Sequence, residues 1–203
     1  MTIKNLSNMQ KFFKRSFDIC FSALGLFLTA PIILLAWTIV SIETCSNGFF
    51  IHQRVGRQGK LFKIIKIKTM KKILGINSSI TTSKDVRIIK SGIFFRNTKI
   101  DELPQLWNVL VGEMSFVGPR PDVPGYANQL EGNDRVILSI SPGITGPASL
   151  KYKDEELLLT KQFDPKKYND EVIWPDKVKI NIEYIKKYSF LKDLCYIWKS
   201  IKG

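Results

Sequence analysis

Asp101 and Glu102 are adjacent carboxylates, and after them Leu103, Leu106, Trp107, Leu110 and Val111 recur at helical spacing. Thr98 can cap the start of such a helix, and Gly112 can close it in a left-handed conformation. The spacing predicts that both acids lie in the first helical turn, with Pro104 as a first-turn proline. Backbone N–H groups are unpaired there and carry the positive end of the helix dipole, which keeps a carboxylate ionised and attracts phosphate oxygens. On these residues alone two readings stand side by side: acids that stabilise a helix start by roughly a few tenths of a kcal/mol, or acids that do chemistry. Downstream, Gly118-Pro119-Arg120-Pro121 holds one arginine between two prolines that fix their own φ and restrict their neighbours. A stiff loop presenting one guanidinium suits phosphate recognition.

Four segments, in order, are Lys66-Ile67-Lys68-Thr69-Met70, Asp101-Glu102-Leu103-Pro104-Gln105-Leu106, Ser115-Phe116-Val117-Gly118-Pro119-Arg120-Pro121 and Pro142-Gly143-Ile144-Thr145-Gly146. Together they resemble the bacterial sugar transferase family, and the match covers nearly the whole chain. Members are monotopic phosphoglycosyl transferases, which move a phospho-sugar from a nucleoside diphosphate sugar onto a polyprenyl phosphate. The resemblance implies a UDP-sugar donor, an undecaprenyl phosphate acceptor and release of UMP. It places the nucleophile at Asp101, with Glu102 as metal ligand or base and Mg²⁺ held at least partly by the acidic pair. Arg120 would grip a substrate phosphate. Lys66 and Lys68, with Arg96 at the head of the central stretch, are carried as further phosphate contacts, although lysines in such a strand also serve as a plain solvated face. Many relatives continue the fourth motif with Gln-Val and then Asn-Gly-Arg. Here Ala148-Ser149-Leu150-Lys151-Tyr152 and Asp154-Glu155-Glu156 follow, so no side chain of that loop is assigned to nucleotide or sugar.

Composition sets independent bounds. A chain of 203 residues with 44% hydrophobic content can bury a core and is not a disordered segment. A formal charge of +13 asks for an anionic partner: nucleic acid, an anionic membrane or phosphorylated substrates. A nucleic-acid groove would interleave aromatic residues with its cations, whereas Phe62 stands alone in the basic stretch 54–72, so no nucleic-acid partner is expected. Cys20, Cys45 and Cys195 form no CxxC pair and argue for no disulfide framework. The single histidine, His52, excludes His-rich zinc sites and leaves little room for a Ser-His-Asp arrangement. Carboxylates, Arg and Lys must carry any chemistry.

The elements that would position these groups begin at a membrane. From Ile19 to Ile42 run 24 uncharged residues, enough at about 1.5 Å each to cross a hydrocarbon core of about 30 Å. Lys4, Lys11, Lys14 and Arg15 precede the run, and nine Lys and Arg residues lie between Thr44 and Lys84 with no acid among them. Basic residues within about 15–20 positions of a membrane segment favour the cytoplasm, and here both flanks qualify. Pro31 sits mid-run, where it removes a backbone bond. A helix-break-helix entering and leaving one leaflet satisfies all three features, and the resembling family is described as having this shape. A plain proline-kinked span is the alternative.

Beyond the anchor, Gly48 to Met70 reads as a β-hairpin with a Gly56-to-Gly59 turn, residues 71–84 as an exposed loop and Val86 to Phe95 as a short helix. Val123 to Ser139 reads as helix with breaks, Ser141 to Pro147 as neither helix nor regular strand, and Pro165 to Pro175 as irregular. Two amphipathic helices follow from Asp176 to Ile201. The second gathers Leu191, Leu194, Trp198 and Ile201 on a face suited either to a core or to a membrane interface. The expected fold is a mixed α/β chain, mostly helical, with a small β-hairpin, an N-terminal re-entrant hairpin and interfacial helices. Residues 1–45 form the basic segment and anchor, and 46–203 the catalytic domain on the cytoplasmic face of a bacterial inner membrane, with a homodimer compatible with it. The competing class is a non-enzymatic, membrane-anchored basic module, which leaves Asp101, Glu102 and Arg120 without a task.

Overall fold

The computed structural model describes residues 6–71 and 85–202. The expected loop at 71–84 therefore lies, but for Lys71, outside the described residues. The first helix, α1 (Asn8–Thr44), starts with a capping box: the Ser7 hydroxyl accepts from the Gln10 N–H, and the Gln10 side chain accepts from the Ser7 N–H. It is the one described helix long and apolar enough to cross a membrane. It continues through Pro31 without interruption, so the expected break does not appear as a gap in the helix. Proline costs it the bond to the Phe27 carbonyl, and packing along one face holds the remainder in register.

That face is a narrow stripe. Lys14, Asp18, Ser22, Ala36 and Val40 are buried, and at Gly25 an added Cβ would stand 3.1 Å from the Leu106 side chain. Most of the apolar remainder, Phe27 and Leu35 among it, is exposed. Both ends of the stripe are fastened to the same body. Near the start, Lys14 Nζ donates to Asp193 Oδ2 (2.7 Å) and to the Val117 carbonyl (2.8 Å), while Arg15 donates to the carbonyls of Val109 and Leu110. At the far end the Glu43 carboxylate accepts from the Lys90 and Ser91 N–H groups, capping the helix that begins there.

Strands β1 (Phe49–Val55) and β2 (Leu61–Ile67) form the expected antiparallel hairpin, in register from Phe49 opposite Ile67 to Val55 opposite Leu61. Its turn uses left-handed Gln58 and Gly59. Phe62 and Ile64 on β2 pack with Val109 and Met114, while Ile67 joins Ala36, Val40, Ile89 and Phe95 in a second cluster beneath α1.

Helix α2 spans Lys90–Thr98, later than the expected Val86–Phe95, because Ile88 is held in a bridge to Met70. Thr98 caps nothing: it is the last residue of α2, and its hydroxyl donates back to the Phe94 carbonyl. Lys99 then turns left-handed (φ 59°), and Asp101 and Glu102 lie in a separate 3₁₀ turn, Ile100–Glu102. Helix α3 (Gln105–Val111) follows, with Pro104 at its N-cap and left-handed Gly112 closing it as expected.

Ser141 to Pro147 departs from the sequence expectation. Gly143–Thr145 is a strand, β4, parallel to β3 (Ser115–Val117). The glycines permit it, since a Cβ on Gly143 would stand 2.1 Å from the Gly118 nitrogen. Residues 123–139 give two 3₁₀ turns, Ala127–Gln129 and Gly132–Ser139, where an α-helix with breaks was expected. Short helices α4 (Pro147–Lys151), α5 (Glu155–Thr160) and α6 (Pro165–Tyr168) lead to α7 (Trp174–Lys186) and α8 (Phe190–Lys202). The stretch expected to be irregular is helical, a π turn at Asn169–Ile173 joining α6 to α7 just before Pro175, which has no N–H to give a regular ladder. Val178, Tyr184 and Ile185 of α7 pack with Val117, Ile137 and Ile140 in the largest core cluster. Leu191, Trp198 and Ile201 of α8 are exposed.

Candidate active site

Three elements converge on the acidic pair. The left-handed turn at Lys99 swings Asp101 and Glu102 toward β2, where Lys66 Nζ donates to Glu102 Oε1 at 2.8 Å. From the other side Arg120 Nη2 reaches the same oxygen at 3.4 Å. Arg120 leaves the end of β3 over Gly118, whose backbone lies so close to Ser141 that an added Cβ would stand 2.5 Å from its carbonyl oxygen. β3 is itself held by α1: Asp18 Oδ1 accepts from the Phe116 N–H (3.0 Å) and the Ser115 hydroxyl (3.1 Å).

Their surroundings drive the two neighbouring acids apart. Burial pushes Glu102 up, but Lys66 and Arg120 outweigh it and hold its carboxyl down at about 2. Asp101 is only 8% exposed. Burial and the Glu102 charge push it up to about 6, against the pull of Lys66, Lys99 and Arg96. Its Oδ1 is buried without a hydrogen-bond partner. Glu102, by contrast, engages both of its cations through Oε1. The pair therefore divides into a fixed anion and a carboxylate free to form a new bond. Glu102 in turn raises the Arg120 guanidinium, whereas burial lowers Lys66 against the opposing pull of Glu102.

Not all the expected phosphate contacts assemble here. Lys66 and Arg120 do. Lys68 turns away and donates to the Ser46 hydroxyl at 2.8 Å. Arg96 pairs with Glu156 across to α5, although its charge still bears on Asp101. Pro31 lies within α1. Sequence reasoning missed Asp122, two residues after Arg120, whose carboxyl burial pushes up to about 6 against Lys177, Arg54 and Arg120. It also missed Arg54 and Lys177. Asp122 was within reach, because a carboxylate beside Arg120 in a proline-stiffened loop has few places to go; Arg54 carried no mark beyond being one of many cations. Among the described residues no three His, Cys, Asp or Glu side chains gather as a ready-made metal site. A magnesium ion would have the two carboxylates and substrate phosphates, a donor set that this ion commonly uses.

An aspartate poised near neutrality, a neighbour held anionic and cations on both sides suit transfer of a phosphoryl group. Comparison with known proteins agrees on the class. The profile of the bacterial sugar transferase family matches residues 9–203, and the chain belongs to this family. It is 39% identical over 119 residues, 58% of this chain and 66% of the other, to a Bacillus subtilis (strain 168) protein provisionally named an undecaprenyl-phosphate N-acetylgalactosaminyl 1-phosphate transferase. Over 209 residues it is 32% identical to the undecaprenyl-phosphate galactose phosphotransferase of Salmonella typhimurium, covering 95% of this chain and 40% of that one. The exopolysaccharide production protein ExoY of Sinorhizobium fredii is 29% identical over 204 residues, 93% of this chain and 83% of its own length. The chain thus spans from about two fifths to about four fifths of these relatives.

Proposed function

We propose that the protein transfers a sugar 1-phosphate from a UDP-sugar to undecaprenyl phosphate, with Asp101 as a covalent nucleophile. The observation that carries this reading is the split between the two neighbours: Asp101 has a buried oxygen without a partner, while Glu102 is neutralised by Lys66 and Arg120. The names of the relatives support the donor and acceptor classes.

In the first step a carboxylate oxygen of Asp101 bonds to the β-phosphorus of the UDP-sugar. The bond from that phosphorus to the bridging oxygen breaks, and UMP leaves with the electron pair. An aspartyl phospho-sugar remains. In the second step a phosphate oxygen of undecaprenyl phosphate bonds to the same phosphorus, and the acyl-phosphate bond breaks to regenerate the Asp101 carboxylate. Arg120 and Lys66 offset charge on the equatorial oxygens in both steps. Glu102 orients these two cations. Bound magnesium, held by the acidic pair, would supply further charge neutralisation.

The anchor reading is that α1 enters and leaves one face of a membrane with the rest of the chain on the cytoplasmic side. What supports it is that Lys14 and Arg15 at one end and Glu43 at the other bind the same globular body, whereas a span would part them by a bilayer. The exposed apolar residues of α1 and of α8 provide surface for lipid.

Incubating the detergent-solubilised full chain with a panel of UDP-sugars in the absence of lipid tests the chemistry. A protein adduct with the mass of one phospho-sugar, equimolar UMP and loss of both in Asp101→Asn are expected. UMP that appears only when acceptor is also present, with no adduct, would make Asp101 a ligand in a single direct displacement.

A further inference from the structure

Most of the cations near the acidic pair and Asp122 have side-chain partners. Lys66 and Arg120 face Glu102, Lys177 donates to Glu155 at 2.6 Å, and Arg96 pairs with Glu156. Arg54 is different. It lies next to the end of β1, where the Val55 N–H donates to the Asp122 carbonyl at 2.9 Å and so brings the strand alongside the Arg120 loop. Val55, Gly56, Arg120 and Asp122 line one small cavity there. Among the described residues the Arg54 side chain makes no hydrogen bond and no ion pair, and its Nε is buried without a partner. Asp122 acts on its charge from beyond ion-pair distance, and Arg120 is near enough to oppose it.

A partly buried guanidinium, its Nε shut off from solvent, is unfavourable beside a second guanidinium unless an anion joins them. Asp122, the acid whose charge bears on Arg54, makes no ion pair with it and has its own ionisation resisted by burial. The arrangement suits an acceptor with several anionic oxygens, which a planar fork of N–H donors can engage in pairs.

Resting on the transferase reading for its ligand class, we infer that Arg54 and Arg120 together form a subsite for the phosphoryl oxygens of a substrate. The chemistry is common to the diphosphate of the donor and the phosphate of the lipid acceptor. Arg54 is then a binding residue with Arg120.

The test uses the full chain in detergent, with Arg54→Gln and Arg54→Lys. Removing an unpaired, partly buried charge should leave the melting temperature of Arg54→Gln without ligand at or above that of the unmodified protein. Apparent affinity for UDP or inorganic pyrophosphate, read as ligand-induced thermal stabilisation, should fall at least tenfold in Arg54→Gln and be partly restored in Arg54→Lys. A loss seen with UDP places the subsite on the donor. A loss confined to the KM for undecaprenyl phosphate places it on the acceptor. Unchanged values for both ligands, or a variant that melts well below the unmodified protein, would overturn the inference. Should the unmodified chain release no UMP from any UDP-sugar yet be stabilised by pyrophosphate through Arg54, the transferase reading fails and the subsite stands. Should it release UMP while Arg54→Gln keeps every affinity, the subsite fails alone.

Discussion

Lys66 Nζ stands 2.8 Å from Glu102 Oε1, with both side chains largely buried, and this contact helps to hold two adjacent carboxylates at different ionisations. Glu102 keeps its charge because Lys66 is there, and that fixed charge helps to raise Asp101. Replacing Lys66 with Gln leaves Glu102 facing only the more distant Arg120, so the fold should lose about 3 kcal/mol, the low end of the cost of removing one partner of a buried pair. Chemical denaturation at pH 7 checks this, and Lys66→Gln combined with Glu102→Gln should recover a large part of the loss.

Asp101→Asn should be inactive yet more stable near neutral pH. The folded carboxyl titrates at about 6 against an ordinary 3.8, so the native state prefers it neutral. Its ionisation costs nothing below pH 3.8, costs progressively more between 3.8 and 6, and costs its full amount above 6. The asparagine variant should therefore gain about 3 kcal/mol at pH 7.5, by the conversion of a shift into free energy, and should show no gain at pH 3.5. Urea midpoints at the two pH values measure it.

The rate of UMP release without acceptor should fall about tenfold per pH unit below about 6, because only ionised Asp101 can attack. Asp122 titrates in the same range. In Asp122→Asn the acidic limb should persist, since the limb belongs to Asp101; its disappearance would assign it to Asp122.

Arg120→Lys keeps the charge and loses the fork. The side chain is half exposed, so the melting temperature should barely move, while kcat/KM should drop by roughly a hundredfold for a lost paired contact in the transition state. Near-normal turnover would return the loop to a structural role.

With Cys20, Cys45 and Cys195 replaced by Ser, single cysteines at Asn5 and Asn128 should react from the same side of sealed vesicles. Opposite sidedness would make α1 a span.

The sequence and the structure agree where signals are local and periodic: the hairpin from Phe49 to Ile67, the Gly112 helix end, and α7 and α8. They differ where a distant contact decides. Nothing near Gly143 says that β3 will lie beside it, so glycines that look like strand breakers serve instead to let two backbones meet. Thr98 is a plausible cap by type, yet the left-handed turn at Lys99 ends a helix there and starts the site. Of the site itself, Asp101, Glu102, Lys66 and Arg120 could be read from motifs. Lys68 and Arg96 satisfied the same pattern but found other partners, Ser46 and Glu156. The contacts of Lys14 and Asp18 depend on residues 97 to 179 positions away, a separation at which charge and spacing carry no information.

The fastening of α1 at both ends has a mechanical consequence. A transmembrane helix normally answers a change in bilayer thickness by tilting. With Lys14 tied to Asp193, and Glu43 holding the start of the helix that leads to Asp101, α1 cannot tilt without tearing away from its own domain. On the proposed one-face insertion, lipid would deform around the protein instead, and Asp101 would keep a constant height relative to the headgroups from which an acceptor phosphate would arrive.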